Sequence, residues 1–397
     1  MQQRLSSRVR SIAPSATLSI DAKTKALIRE GKPVVNMSVG EPDFDTPKAA
    51  AFAGMRAIAN GNTRYTDAAG TVDLRKAIVH KLAVENGLQY MPEQIVVSSG
   101  AKHSLFNICL SLCEEGDEVI LPAPYWVSYP EQIRLAGATP VIVTATDAAG
   151  FKITPEQLEQ AITARTKALI LNSPNNPTGA VYSEAELRAL GAVLQRHDIY
   201  IVTDEIYERL VYGVQHVSLP ALLPDLAQRT LIVNGFSKAF AMTGWRLGYV
   251  AAPLDIAKAL TSLQSHLTGS PSTMSQAAGT AAFDAFEPAM VQEFHRRRDH
   301  IVAGLRTLPG VECVMPDGAF YVFPNISGLF GSSYQGTPVD NASQFCALLL
   351  EKELVSTVPG DAFGAPENIR ISYATSFEDI ELALARMSRF VHDLTRG

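Results

Sequence analysis

The sequence predicts an α/β fold: a large domain with a mostly parallel seven-stranded sheet flanked by helices, plus a smaller α+β domain built from both chain ends. Three observations point there. Short β-rich apolar runs recur through the middle of the chain, several are apolar throughout as strands covered on both faces are, and helical patterns lie between many of them.

In chain order the runs are Ile95 to Ser99, Glu118 to Leu121, Pro140 to Thr144, Ala168 to Leu171, Ile199 to Thr203, Thr230 to Val233 and Leu247 to Ala251. Amphipathic periodicity marks helices over Ser104 to Cys113, Tyr129 to Ala136 and Ser183 to Gln195. From Phe286 the texture changes. A long helical stretch carrying Arg296-Arg297-Arg298, which reads as a solvated helix face, leads to short strands near Val311 to Val314 and Ala319 to Val322. Helices follow over Asn341 to Glu353 and Phe377 to Leu394. The expected division is a large domain over 44–290 and a small one made of 1–43 with 291–397.

Composition excludes several classes. With 34 Lys+Arg against 40 Asp+Glu the net charge is -6, so no basic stripe for nucleic acid or an anionic membrane is expected. The apolar fraction of 47% with 19% charged residues is that of an ordinary globular protein. Cys109, Cys113, Cys313 and Cys346 form no C-x-x-C pair and read as reduced thiols, with no metal site. No apolar run reaches the ~18 residues of a membrane span, and no signal-peptide apolar stretch precedes Pro14. A cytoplasmic protein is expected.

In open α/β sheets ligands bind beyond the carboxyl ends of the strands, so the residues just past each run carry the functional information. Gly100-Ala101-Lys102 opens a helix, where backbone N–H groups and the helix dipole favour a phosphate. Pro124-Tyr125-Trp126 supplies an aromatic face. Asn172 to Gly179 is a proline-rich loop that fixes asparagine amides; Asp204, Glu205 and Tyr207 place a carboxylate and a phenol at the same edge; Lys238 adds an amine, with Arg246 eight residues on. Singly, each also fits a plain role: a tight turn at Gly100, a turn cluster at the Asn-Pro loop, a helix N-cap at Asp204, a surface lysine at Lys238. Together they match pyridoxal phosphate, whose aldehyde needs an amine, whose phosphate needs a helix N-terminus and an arginine, and whose ring nitrogen needs a carboxylate. No G-x-G-x-x-G follows Ile95 to Ser99, which speaks against a nicotinamide-dependent dehydrogenase.

Five segments in order, Gly40-Glu41-Pro42-Asp43-Phe44-Asp45-Thr46-Pro47, Tyr125-Trp126-Val127-Ser128-Tyr129-Pro130, Asn175-Asn176-Pro177-Thr178-Gly179, Asp204-Glu205-Ile206-Tyr207 and Ser237 to Arg246, resemble the fold-type I pyridoxal-phosphate aminotransferases of class I, in their aspartate aminotransferase branch. The resemblance runs from Pro14-Ser15-Ala16-Thr17 to Arg370-Ile371-Ser372-Tyr373-Ala374-Thr375. It implies that Lys238 joins the cofactor's aldehyde and, once displaced by substrate, moves the proton between Cα and C4′. It further implies that Asp204 partners the ring nitrogen, that Asn176 and Tyr207 partner the phenolic oxygen, and that Trp126 stacks on the ring. Gly100, Ala101, Lys102 and Arg246 fall around the phosphate, and Ser237 beside Lys238 counts among the cofactor contacts. Tyr65 matches a tyrosine that reaches the phosphate from a neighbouring subunit, which implies a homodimer.

For the substrate, the resemblance makes Arg370 the bidentate partner of the α-carboxylate, with the backbone of Gly40 close by and Trp126 and Asn176 among the contacts. Substrate is then expected between the two domains. The stretch 264–276, where one subgroup supplies an arginine for a distal carboxylate, contains none here. The subgroup with a Pro-Ser-Ala-Thr opening is similar instead, and it assigns that task to Lys102 with Ser15 and Thr17, although Lys102 also suits the cofactor phosphate. Aspartate with 2-oxoglutarate is the expected pair; prephenate is the alternative acceptor, and a same-fold lyase the remoter one. No metal, nucleic acid or membrane partner is expected.

Overall fold

The computed structural model describes residues 5–10, 12 and 16–396. Seven strands form the central sheet: β1 Ile95–Ser98, β2 Glu118–Ala123, β3 Thr139–Thr144, β4 Thr166–Asn172, β5 Tyr200–Asp204, β6 Thr230–Gly235 and β7 Gly248–Ala251. Their order across the sheet is β1-β7-β6-β5-β4-β2-β3. All seven predicted runs are strands, shifted by a residue or two at their ends. The central ones are apolar on both faces because both faces are covered. Ala168 and Ile170 join Val202, Leu231 and Val233 in one layer, whereas Leu169 and Leu171 join Ile201 in the other.

β2 to β6 pair in parallel, and β7 alone runs against its neighbours. That reversal matters for the site. Gly235, ending β6, lies opposite Gly248, starting β7, so Arg246 enters at the edge where the parallel strands finish. Close packing there requires glycine: a Cβ on Gly248 would meet the Ala101 nitrogen at 2.3 Å. The helix Ala101–Leu112 can therefore place its first turn directly on the sheet edge.

The chain ends share one core. Val35–Asn36 pairs in parallel with Val355–Ser356, and Val35 and Met37 pack with Phe320, Tyr321, Ile369, Ile371 and Phe390. Helices Ala16–Arg29, Pro288–Leu305, Ala342–Glu353 and Phe377–His392 flank the short strands there. Residues from the turn after β5, Ile206, Tyr207 and Leu210, belong to the same core, so the two halves of the fold meet at the sheet edge that bears the site.

Two sequence expectations change. The strand expected at Val311 to Val314 is a single bridge, Glu312 to Asn325, because Pro309-Gly310 and Pro316 confine it. The arginine cluster is not a solvated face: Arg296 is exposed, but Arg298 is buried and Arg297 is 7% exposed. Arg297 donates to both Asp43 oxygens, at 2.8 and 2.9 Å, and to Glu293 at 2.8 Å, anchoring the segment that contains Gly40. A three-letter arginine run carries no sign of which members find partners; Arg297 is buried against Asp43, 254 residues away, and Arg298 donates to Asp299 and to the Pro316 carbonyl.

Candidate active site

A cavity of about 460 Å³ opens at the carboxyl edge of the sheet, a volume suited to a small organic ligand. Its wall brings together Gly40, Ala101, Lys102, Trp126, Asn176, Asp204, Tyr207, Ser237, Lys238, Arg246 and Arg370, together with Thr17 from the helix Ala16–Arg29. Gly100 stands just behind. Its φ of +91° and the Arg246 guanidinium, 2.5 Å from where a Cβ would sit, explain why this turn must be glycine. Arg246 itself donates to the Thr243 carbonyl at 2.8 Å and the Ser99 carbonyl at 3.4 Å, so it lies across the first turn of Ala101–Leu112. Guanidinium and helix N-terminus form one anion cradle.

At the end of β5, Asp204 is buried and accepts from the Tyr129 hydroxyl at 2.7 Å and the Ile206 N–H at 3.2 Å. Burial pushes its carboxyl up to about 6 against the pull of those hydrogen bonds. Tyr129→Phe removes the stronger bond to the ionised form. The Asp204 pKa should rise further, which a carboxyl infrared or carbon NMR titration of the ligand-free protein can follow. Neighbouring loop geometry is equally determined. Asn172 donates to the carbonyls of Pro174 and Asp204, at 3.1 and 2.9 Å, and accepts from the Asn176 N–H at 2.9 Å, which locks the Asn176 loop onto β5.

Lys238 is half-buried and donates to the Gly40 carbonyl at 2.5 Å. Burial, then the Arg370 charge, lowers its pKa to about 8. A substantial fraction of the amine is neutral at physiological pH, as a nucleophile requires. In the ligand-free protein, acetylation of Lys238 followed by mass spectrometry should reach half its limiting rate near pH 8, well below the value of a solvated lysine.

Arg370 is 3% exposed. It donates to Asn176 Oδ1 at 3.1 Å and to the Ser38 carbonyl at 2.8 Å, and lies over the Tyr321 ring at 4.6 Å. Its Nε has no partner, and among the described residues no carboxylate lies within ion-pair distance. A buried guanidinium without a counter-charge is costly, and an incoming carboxylate would supply one. Lys102 reaches solvent, yet its ammonium sits 4.8 Å from the centre of the Trp126 ring; desolvation and then Arg246 lower its pKa. Trp126 packs edge-on against Tyr129.

Comparison with known proteins places the chain in a family. A family description, aminotransferase class I and II, matches residues 32–387. The chain belongs to this family. The aspartate aminotransferase of Geobacillus stearothermophilus is 48% identical over 392 residues, covering 98% of this chain and 99% of that one. The aspartate/prephenate aminotransferase of Cereibacter sphaeroides is 45% identical over 397 residues, covering 98% and 99%. The crystal structure of the Rhizobium meliloti aspartate aminotransferase superposes with a TM-score of 0.95 at 44% identity, covering 99% of this chain and all of that one.

Two expected site residues of this aminotransferase are not in the cavity wall: Gly100 supports the cradle from behind, and Tyr65 is 96% exposed beside Arg64 and Thr273 in a separate concavity. Ser15 lies outside the described residues. Conversely, Tyr129, Tyr321, Asn172, Ser38 and Glu41 line the cavity without having been singled out. Tyr321 pairs with the Tyr207 hydroxyl at 3.1 Å and faces Arg370. Tyr129 was within a recognised motif, but its sequence shows only a helix position. Nothing in the chain's local pattern pointed to Tyr321.

Proposed function

We propose that this aminotransferase moves the amino group of aspartate to 2-oxoglutarate, using pyridoxal 5'-phosphate bound in the cavity. The observation that carries this reading is one cavity holding both an amine poised near pH 8, Lys238, and the buried guanidinium of Arg370 with no carboxylate partner among the described residues. The donor set fits the cofactor group by group. Lys238, with Ser237 beside it, suits the aldehyde, and Asp204 suits a ring nitrogen that must keep its proton. Asn176 and Tyr207 suit the phenolic oxygen, Trp126 suits the ring face, and Gly100, Ala101, Lys102 and Arg246 suit the phosphate.

When bound, the cofactor would supply a carbonyl that takes up the amino group and a ring that draws electron density from the substrate Cα. The chain's residues then divide the work. Arg370 holds the α-carboxylate as a two-pronged pair, orienting the Cα–H bond towards Lys238. The Lys238 amine takes that proton from Cα and would hand it to the cofactor's C4′, and in the second half of the cycle it runs the same transfer in reverse. Asp204 would hold the cofactor's ring nitrogen and favour its protonated form, and Tyr129 fixes the orientation of the Asp204 carboxylate.

Lys102 and Thr17 in the cavity wall, and Ser15 by its place in the sequence, are our candidates for the distal carboxylate of aspartate. Lys102→Ala should raise KM for aspartate by about tenfold or more, the size of one lost charged contact, and leave KM for a neutral donor nearly unchanged. Equal effects in steady-state assays would assign Lys102 to the cofactor phosphate instead. The name of the Cereibacter relative favours prephenate as a second acceptor, and offering 2-oxoglutarate and then prephenate with aspartate as donor distinguishes the two. The reading as a whole is tested by a purified protein with a visible absorption band that shifts on adding aspartate. No band, and no band after adding pyridoxal phosphate, would overturn it.

Three further assignments belong to the same proposal. Domains at 44–290 and at 1–43 with 291–397 would bring Gly40 and Arg370 to Lys238 from opposite sides. A homodimer would give the exposed Tyr65 a partner cavity to reach. A cytoplasmic setting is supported by four unpaired cysteines; no helix among the described residues is long and apolar enough to cross a membrane.

A further inference from the structure

Behind the sheet edge, on the side facing away from the cavity, lies a buried polar network that the reaction scheme does not use. Glu205 is 2% exposed and follows the last residue of β5, Asp204, and its partners are not residues of the cavity wall. It accepts from Thr203 at 3.0 Å and Ser218 at 2.6 Å, and pairs with His216 Nε2 at 3.0 Å. Three residues on, Glu208 is held by the Lys81 ammonium and by Asn86 at 2.9 Å. Asn86 also donates to Ser218 at 3.0 Å and accepts from Lys81 at 2.8 Å, joining both halves.

We propose that Glu205 and Glu208, with His216, Ser218, Lys81 and Asn86, are positioning residues that clamp from behind the five-residue turn presenting Asp204 and Tyr207 to the cofactor. This rests on the functional reading above. Asp204 and Tyr207 sit between or beside the two clamped acids, so neither can shift unless the network yields. Carboxylate and imidazole atoms of Glu205, Glu208 and His216 lie within 4.8 Å of one another, a grouping that resembles a metal site, but Lys81 already supplies the cation. Two buried acids and one lysine balance only when His216 is protonated. Burial opposes that charge, while Glu205 and Glu208 favour it and raise the imidazole pKa. The other titratable groups that interact with the two acids include Tyr90, whose hydroxyl has no partner among the described residues, Tyr249 from β7 and Asp204 itself. None of these brings a positive charge.

The test compares His216→Gln, Glu205→Gln and the double variant E205Q/H216Q as holoenzymes. The readouts are the dissociation constant for pyridoxal phosphate and the pH midpoint of its bound absorption band. His216→Gln keeps a donor but strands a negative charge, and should weaken retention about tenfold, the coupling expected within one network, and move the midpoint. The double variant, with charge balance restored, should recover most of both. Unchanged retention and midpoint in both single variants, or a double variant showing the sum of two losses, would overturn the proposal. If the single variants fail to fold, Ser218→Ala, which removes only the link between the halves, decides: a shifted midpoint supports the clamp and an unshifted one refutes it. A wild-type protein that takes up no cofactor would sink the functional reading instead. In that case a His216 proton NMR titration of the full chain still checks the charge balance, which an imidazole neutral at pH 6 would disprove.

Discussion

Lys238→Ala should reduce amino transfer from aspartate by at least about 10³-fold, because a positioned base alone contributes ~10²–10⁴ to proton transfer and the covalent attachment is lost with it. Binding of the cofactor should persist. On the proposed reading the groups left to hold it would be Arg246, Asp204, Asn176 and the helix Ala101–Leu112, none of which hydrogen-bonds to the lysine, although the Lys238 charge helps keep Asp204 ionised. Single-turnover spectra after mixing with aspartate measure the rate, and borohydride treatment before denaturation asks whether the cofactor is still fixed to the chain. A loss of less than tenfold would remove Lys238 as the base. Lys238→Arg should fare no better, since a guanidinium stays protonated at the pH where the native amine, poised near 8, is partly neutral.

Arg370→Gln should lower kcat/KM for amino-acid substrates by about 30- to 5,000-fold, equivalent to the ~2–5 kcal/mol of a truncated buried charge pair. Arg370→Lys should recover little, because one ammonium cannot match two carboxylate oxygens. Stability provides the discriminating control. In the ligand-free protein the Arg370 charge is buried, its Nε lacks a partner and no carboxylate lies within ion-pair distance among the described residues. Its removal should therefore leave the melting temperature of the ligand-free chain unchanged or higher, while abolishing the stabilisation that a bound dicarboxylate provides. A destabilised ligand-free variant with normal kcat/KM would make Arg370 a structural residue.

Much of this architecture was legible in the residues. The seven strands were recognisable because doubly covered strands are apolar at consecutive positions, as Ala168 to Leu171 shows. Chemistry-bearing residues were findable at strand ends because parallel strands finish at a common edge, where Asp204 and the Asn176 loop meet. Arg246 fitted that scheme only by motif. It precedes its strand rather than following it, and β7 places it correctly because β7 alone is reversed.

What the sequence determined by itself was the α/β class, the strand set and the chemical identity of the cavity's principal groups, since periodicity and strand-end position are local properties of the chain. What the tertiary structure decided was how those groups are tuned. The Tyr129 bond to Asp204 spans 75 residues, the Arg297 anchor on Asp43 spans 254, and the contact of Arg370 with Asn176 spans 194. Desolvation in the folded contact raises the Asp204 pKa, and desolvation followed by the charge of Arg370, brought in from a distant segment, lowers that of Lys238. Hydrogen-bond distance and loss of water are properties of the folded contact, and no spacing along the chain encodes them.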